Sequence, residues 1–246
     1  MSLFKLSNQI FQLGLDAQEV SVYAYLCSLP TAQHTITGET IVRVKQSTIA
    51  QNCGIRALQT VARIISRLQD KGLTEPLRRS VKVNRHKGTY SYAVKQLPLD
   101  SGYFFVDRHI FGCLNPRQTM IYLFICKSYS PSLHDCWNSY NDIAQQTGMK
   151  RETVIRTVNE LVNLHFIVRC RRKARDNKRV FVDNHYQVVF FSLGSFKGKK
   201  IVRLYHNYNR TEGRLHSRPF FHYHHSIVKE KSQALLQYFF AVRGSP

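Results

Sequence analysis

The most constraining feature of this 246-residue chain is a block of sequence that occurs twice. The hexapeptide IAQNCG at 49–54 is matched by IAQQTG at 143–148, an offset of 94 residues. Shortly after each block comes the pattern Thr-Val-x-Arg, at 60–63 and at 153–156, with an offset of 93. The first copy therefore carries one additional residue between the two blocks. A repeat of this kind predicts two similar structural units.

Further matches extend the repeat on both sides. Upstream, VYAYLCS at 22–28 resembles IYLFICKS at 121–128. Downstream, each Thr-Val-x-Arg pattern is followed by a β-branched apolar residue and a leucine, at Ile65 and Leu68 in the first copy. The second copy has Val158 and Leu161 at these places. Matching blocks in the same order indicate a tandem duplication.

Each copy is predicted to begin with a helix that has a clear start signal. Asp16 is followed three residues later by Glu19, the spacing of a capping box, and the predicted helix runs to about Ser28. In the second copy Asn115 is the predicted cap, and Pro116 occupies the first helical position, where the missing N–H costs nothing.

A short helix, a glycine-containing turn and a third helix are predicted next. The short helices are expected at 46–52 and 139–146. The turns contain Gly54 or Gly148, and the third helices begin near Arg56 or Lys150. In the first copy, DKGL at 70–73 ends the third helix with a glycine just past its last turn. Apolar residues at helical spacing predict its buried face: Val61, Ile64, Ile65 and Leu68.

Each third helix is followed by two predicted strands with a long basic connection between them. The alternating segments are RSVKV at 79–83, TYSYAV at 89–94, FIVRC at 166–170 and RVFVDNHYQVV at 179–189. A plain hairpin needs a turn of only about two residues. Instead, the second copy has RCRRKARDNKR at 169–179, with seven basic residues. The connection therefore predicts contact with a polyanion.

Charge in the rest of the chain favours the same kind of partner. The sequence has 36 Lys and Arg against 15 Asp and Glu, a net charge of +21. The excess is +7 in residues 1–100, +6 in 101–189 and +8 in 190–246, so it is not confined to a tail. A positive field over the whole surface favours nucleic acid, with an anionic membrane a distant second.

Membrane insertion, secretion and a disulfide framework are not expected. The longest apolar runs, such as MIYLFIC at 120–126, are far shorter than the roughly 20 residues of a spanning helix. The first residues lack the pattern of a secretory signal. The six cysteines are scattered, without a Cys-x-x-Cys pair, which favours reduced thiols in a cytoplasmic protein and predicts no structural zinc.

Three helices followed by a basic hairpin resemble the winged helix-turn-helix family, with copies at about 6–96 and 103–190. The segment IFQLGLDAQEVSVYAYL at 10–26 is similar to the entry of helix-turn-helix proteins carried on bacterial plasmids, phages and conjugative elements. Some plasmid replication initiators also pair two winged helices in about this length. The resemblance implies an α+β fold with two tandem winged helix-turn-helix domains. The expected domains are 1–98 and 99–190, followed by a basic C-terminal extension at 191–246.

In this fold class the third helix of each unit enters the major groove of DNA, and the hairpin, or wing, contacts the backbone. The polar faces of the third helices supply the predicted base-reading residues: Arg56, Gln59, Arg63, Lys150, Arg151, Arg156 and Asn159. The helix starts and the wings supply the predicted phosphate-binding residues: Thr60, Arg78, Arg79, Lys82, Arg85, Lys87, Thr153, Arg169, Arg171, Arg172, Lys173, Arg175, Lys178 and Arg179.

Three roles remain open for such a chain. The first is a transcriptional regulator that binds double-stranded DNA in a sequence-specific way. The second is a replication initiator of a plasmid or phage, and the third is a tandem module that binds protein partners. A further alternative is that one of the two units serves in dimerisation or partner binding instead of DNA binding. Glu152 and Glu160 on the second reading helix argue against uniform phosphate contact there.

The C-terminal extension does not continue the repeat. FKGKK at 196–200 and the segment 207–220 are predicted to be basic loops, and 226–242 a terminal amphipathic helix that packs on the body or on a second protomer. His222 and His224 resemble the His-hydrophobic-His metal pair of rolling-circle nickases, but the 57 residues at 190–246 hardly hold such a nuclease. No phosphate-binding loop or nucleophile–base arrangement is evident. The sequence therefore predicts no enzyme activity, no cofactor, no metal and no small-molecule substrate.

Overall fold

The structure is a computed structural model, and it describes most of the first 205 residues. The backbone is described for 3–30, 33–34, 39–77, 89–130, 135–173, 181–196 and 199–205. The side chains are described for 3–30, 39–76, 89–130, 135–169 and 184–189. The predicted strand at 79–83 and the predicted terminal helix at 226–242 lie outside these ranges, as do His222 and His224.

Three helices form in each unit of the described chain, in the predicted order. They are α1 (Ala17–Ser28), α2 (Gln46–Asn52), α3 (Leu58–Asp70), α4 (Pro116–Ser128), α5 (Tyr140–Thr147) and α6 (Arg151–Asn163). The predicted capping box at Asp16 and the predicted cap at Asn115 are confirmed. Asp16 accepts from the backbone N–H groups of Gln18 and Glu19, and Asn115 accepts from that of Gln118 at 3.0 Å.

The prediction for the start of the third helix is wrong by two residues in the first unit. Helix α3 begins at Leu58, so Arg56 precedes the helix. The additional residue of the first copy lengthens the connection there. Gly54 takes a left-handed φ of +63°, and a Cβ on it would lie 3.1 Å from the Asn115 Cα at the start of α4. Gly148 has a similar φ of +66° but no atom within 4 Å of the same point, so this contact is made by the first unit alone.

The described strands build one small sheet in each unit, one sheet between the units and a C-terminal hairpin. They are β1 (Leu3–Ser7), β2 (Gln33–His34), β3 (Thr40–Val44), β4 (Thr74–Leu77), β5 (Tyr90–Val94), β6 (Tyr103–Asp107), β7 (Cys136–Trp137), β8 (Ile167–Lys173), β9 (Phe181–Val188), β10 (Phe190–Phe196) and β11 (Lys199–Tyr205). The sheet orders are β2-β3-β5-β4 in the first unit and β7-β9-β8 in the second. In both, the last strand lies between the strand after the third helix and a strand before the second helix.

The strand boundaries differ from the predicted ones where the chain is most basic. Strand β8 continues past Cys170 to Lys173 and pairs with β9, with an irregularity between Arg172 and Lys173. The first part of the basic run is therefore strand, and residues 174–180 lie outside the described residues. Strand β4 was not predicted at 74–77, nor were the strands before the second helices.

The C-terminal extension also differs from its prediction. Strands β10 and β11 pair in antiparallel fashion, with Phe190 opposite Tyr205 and Phe196 opposite Lys199. The segment FKGKK, predicted as loop, covers the end of one strand and the start of the other. The extension therefore begins as a hairpin directly after the second unit.

The two units are joined by their own first strands. Strands β1 and β6 share one pattern of burial and lead directly into short 3₁₀ helices, whose caps are Ser7 and Asp107. These strands pair antiparallel, with Lys5 opposite Phe105 and Leu3 opposite Asp107. The register of the pair is therefore symmetric about a two-fold axis that passes between Lys5 and Phe105.

Aromatic rings continue this join beneath the strands, where α1 packs against α4. Tyr25 of α1 meets Phe111 edge to face at 5.2 Å between ring centroids, and Phe124 of α4 meets Phe11 at 5.6 Å. The buried residues of both units form one continuous hydrophobic cluster that runs from Phe4 to Val189. The predicted domain boundary at 98/99 therefore does not coincide with a break in the hydrophobic core.

We expect the described body to unfold in a single transition because its core is continuous. Phe111→Ala removes a buried ring from the join and should lower the free energy of unfolding by about 3–5 kcal/mol. Urea denaturation followed by circular dichroism measures this. Phe105→Ala is the control, because that ring lies on the outer face of the same sheet and is 47% exposed, so its loss should cost about 0.5 kcal/mol or less. Two separate transitions would contradict the prediction.

Candidate nucleic-acid interface

Helix α3 divides cleanly into a buried and an exposed face. The predicted stripe is confirmed, since Val61, Ile64, Ile65 and Leu68 are all buried. The polar side chains of Gln59 and Arg63 lie on the opposite face and are exposed, and Arg56 is exposed in the connection before the helix. Because the apolar stripe fixes the rotation of the helix on the core, these polar side chains project away from the body.

Helix α6 presents a similar outer face. Its buried residues are Val154, Thr157, Val158 and Leu161. Arg151 and Arg156 are exposed, and Lys150 is exposed at the N-cap position. A shallow groove runs along this face, lined by Glu152, Ile155, Arg156, Asn159, Glu160 and Asn163.

The N-termini of α3 and α6, like that of α2, lack a side-chain cap, unlike those of the three other helices in the described chain. The N-cap residues of α3 and α6 are Ala57 and Lys150, and neither makes a side-chain capping bond. Helices α1, α4 and α5 instead have complete capping boxes. Thr60 and Thr153, at the third position of each helix, are partly exposed beside these ends. Free N–H groups and the positive end of the helix dipole are suited to a phosphate group.

Ion pairs fix α3 on α1. The Arg67 guanidinium lies 2.8 Å from the Asp16 carboxylate and 3.4 Å from Glu19, and the Lys71 ammonium lies 2.8 Å from Glu19. Glu19 is almost fully buried, so it depends on these partners. The two cations are thereby neutralised and hold the helix instead of contributing to its outer face.

In the second unit, the corresponding contact uses an uncharged side chain on α4. Gln118 stands at the position of Glu19, and its Nε2 donates to Glu160 at 2.8 Å. Glu160 in turn stands at the position of Arg67. Part of the acidic character of α6 is therefore structural, whereas Glu152 is exposed in the first turn, where its charge suits the helix dipole.

Arg169 does not lie in the wing connection. Its Nη1 donates to the Tyr140 hydroxyl and to Asn159 Oδ1, each at 2.7 Å. This predicted phosphate ligand thus joins β8 to the start of α5 and to the middle of α6. Because a guanidinium has only donors, it turns the Asn159 oxygen inward and the amide nitrogen away from it. Sequence reasoning missed this network, since no local pattern relates Tyr140 to a residue 29 positions away.

Most of the predicted wing side chains lie outside the described residues. They are Arg78, Arg79, Lys82, Arg85, Lys87, Arg171, Arg172, Lys173, Arg175, Lys178 and Arg179. For the second wing, the backbone of β8 and β9 is described up to Lys173 and from Phe181. The Arg169 contacts place this part of β8 beside α6.

The described cysteines are free thiols in the interior or partly buried. Burial raises the pKa of the Cys53 and Cys136 thiols to about 12. They are therefore protonated at neutral pH, whereas a nucleophilic cysteine requires a lowered pKa. Within the described ranges, no three His, Cys, Asp or Glu side chains are grouped to hold a metal ion.

A comparison with known protein families matches part of the chain. A family model described as a helix-turn-helix domain matches residues 112–167, which cover α4, α5 and α6. A comparison with curated proteins gives no match. None of the helices in the described chain is both long and apolar enough to cross a membrane. The fold is thus α+β with a helix-turn-helix domain, and this domain implies DNA as the partner.

Proposed function

We propose that the chain is a transcriptional regulator that recognises a specific double-stranded DNA sequence. The observation that carries the proposal is the outer face of α6, within the matched helix-turn-helix segment. There Arg151 and Arg156 are exposed opposite a buried stripe, at a helix N-terminus without a side-chain cap. A helix of this kind fits the major groove, where base edges are distinguishable.

Both units act as winged helix-turn-helix domains in this proposal. The first unit is expected at 1–98 and the second at 99–190. The same order of helices, the same sheet arrangement and the same open helix N-terminus support equivalent roles for α3 and α6. Base contacts are assigned to the exposed side chains of these helices, and phosphate contacts to their first turns and to the wings. No catalytic step is assigned to the protein.

Replication initiation is the second candidate. It is favoured by the close join of the two units through β1 and β6, since some plasmid initiators also pair two winged helices. Both roles require duplex binding, so they differ in where the site lies. Recovery of bound DNA from cells that carry the protein distinguishes them: promoter operators support regulation, and iterated origin repeats support initiation. A protein-binding module, the remaining alternative, would ignore DNA.

Salt dependence tests the DNA contact itself. Affinity for duplex DNA should fall steeply as salt rises, with a slope of about −0.9 for each phosphate neutralised. Replacing Arg171, Arg172, Lys173 and Arg175 by alanine should make the slope shallower by about one for each phosphate that is no longer neutralised. Fluorescence anisotropy across a salt series measures both.

The matched control replaces the three arginines of this set by lysine, which retains the charge and should retain the slope. A flat response for the unaltered protein would refute DNA binding. An unchanged slope for the alanine variant would remove the second wing from the interface.

Single substitutions on the two outer faces test base reading. Arg63→Ala and Arg156→Ala should each change sequence preference at one base pair, with a loss of about 1–3 kcal/mol there. Site selection from a random DNA library measures the preference. Arg117→Ala is the control, because this exposed arginine of α4 belongs to neither face. Uniform weakening without a change of preference would reassign Arg63 and Arg156 to phosphate contact.

The Arg169 network yields a coupling test. Arg169→Ala should broaden the preference at the base pair nearest Asn159, since the amide is no longer held in one orientation. The double variant with Asn159→Ala should then lose no more affinity than Asn159→Ala alone, because both changes act on the same base contact. Tyr140→Phe is the control, as it leaves the Arg169–Asn159 bond in place. Additive losses would mean that Arg169 contacts phosphate independently.

A further inference from the structure

We propose that one copy of this chain occupies an interrupted inverted repeat whose two half-sites are unequal. The inference rests on the proposed function, in which both α3 and α6 read DNA. It goes further by assigning the arrangement of the DNA site and the number of chains on it. Four features of the structure lead to it.

The first feature is the register of the strands that join the units. Lys5 lies opposite Phe105, Leu3 opposite Asp107 and Ser7 opposite Tyr103. Residues 3–7 and 103–107 are equivalent in the repeat, because each set precedes a 3₁₀ helix at the same distance. Such a register places equivalent residues symmetrically about one point. An antiparallel pair of this kind has a two-fold axis perpendicular to the sheet.

The second feature is that the rings below the strands follow the same axis. Tyr25 and Phe124 are equivalent residues of α1 and α4, and each meets the phenylalanine of the other unit, Phe111 or Phe11, edge to face. A second set of contacts repeats as well. The ring centroids of Phe4 and Phe111 lie 6.1 Å apart with an interplanar angle of 36°. Those of Phe104 and Phe11 lie 6.3 Å apart with an angle of 32°. The symmetry therefore extends through the core.

The third feature is the placement of the reading helices. Helix α3 packs on α1, and α6 packs on α4. The pairs are fixed through equivalent positions, Glu19 with Arg67 in one unit and Gln118 with Glu160 in the other. A rotation that carries α1 onto α4 therefore carries α3 onto α6. The two reading helices are related by the axis that relates the strands.

Duplex DNA has two-fold axes of its own, perpendicular to the helix axis. Two reading helices related by a two-fold axis meet strands of opposite polarity, and this is why symmetric dimers bind inverted half-sites. Here one chain supplies both helices. The half-site centres are expected about 34–36 Å apart, one turn of DNA, or a multiple of it.

The fourth feature is the difference between the two outer faces. Arg63 and Arg156 are equivalent, so guanine is expected at the same place in both half-sites. Other equivalent pairs differ: Gln59 corresponds to Glu152, and its amide suits adenine while the carboxylate suits cytosine. The contact of Gly54 with Asn115 is likewise made on one side only. Unequal halves give the chain a fixed direction on its site.

The test uses the unaltered full chain and four versions of the DNA site obtained by selection. One is the natural site, one has the second half-site turned into a direct repeat, one has that half-site scrambled, and one has the two halves exchanged. The natural site should bind tightest, with one chain per duplex by native mass spectrometry. Turning or scrambling one half should each weaken binding about 100-fold, the cost of a few mismatched base pairs. The exchanged site is the same duplex turned end for end and serves as the control, since its footprint should reverse while its affinity stays the same.

Variants assign the halves. Arg63→Ala should alter selection in one half-site only, and Arg156→Ala in the other. Equal affinity for the direct and the inverted arrangement, or two chains on one natural site, would overturn the inference and leave sequence-specific DNA binding intact. Failure to bind any duplex would overturn the proposed function, and with it this inference.

Discussion

The antiparallel pairing of β1 with β6 is the interaction on which the rest of this architecture depends. Each strand has only five residues, and an isolated pair of this size is marginal in water. It persists because one face covers the aromatic contacts of α1 with Phe111 and of α4 with Phe11, which bury large rings from both units. Two units that would each bury a small core thereby share a single larger one. The positions of α3 and α6 follow from this join, because each rests on a helix of the joined pair.

Local features of the sequence predict the helices well, and for a physical reason. Capping boxes at Asp16 and Asn115, and the stripe from Val61 to Leu68, act between residues no more than seven positions apart. Their geometry follows from the helix itself. The helix-turn-helix prediction for the second unit is confirmed by the family match at 112–167. Wing assignments, domain limits and individual base contacts remain predictions.

Contacts between distant parts of the chain were not predictable in the same way. Strand β1 pairs with a strand about 100 residues later in the chain. Its five residues contain no pattern that indicates which strand is the partner. The basic run at 169–179 was expected to be a connection, because its charges conceal the alternation that would indicate a strand. Arg169 illustrates the limit. Its charge indicated a polyanion, whereas its hydrogen bonds are to Tyr140 and Asn159.

Duplicated units carry a risk during folding, since the first helix of one copy can dock on the third helix of the other. The two units carry opposite charges at one equivalent position, Arg67 in α3 and Glu160 in α6, and this difference disfavours the wrong pairing. A misassembled pair of α1 with α6 would bury Glu19 against Glu160, two carboxylates, and would replace Lys71 by its equivalent, Leu164. A buried carboxylate without a cation is strongly disfavoured. The charge exchange therefore makes α1 selective for α3 over α6, which favours one assembly of a chain built from two similar halves.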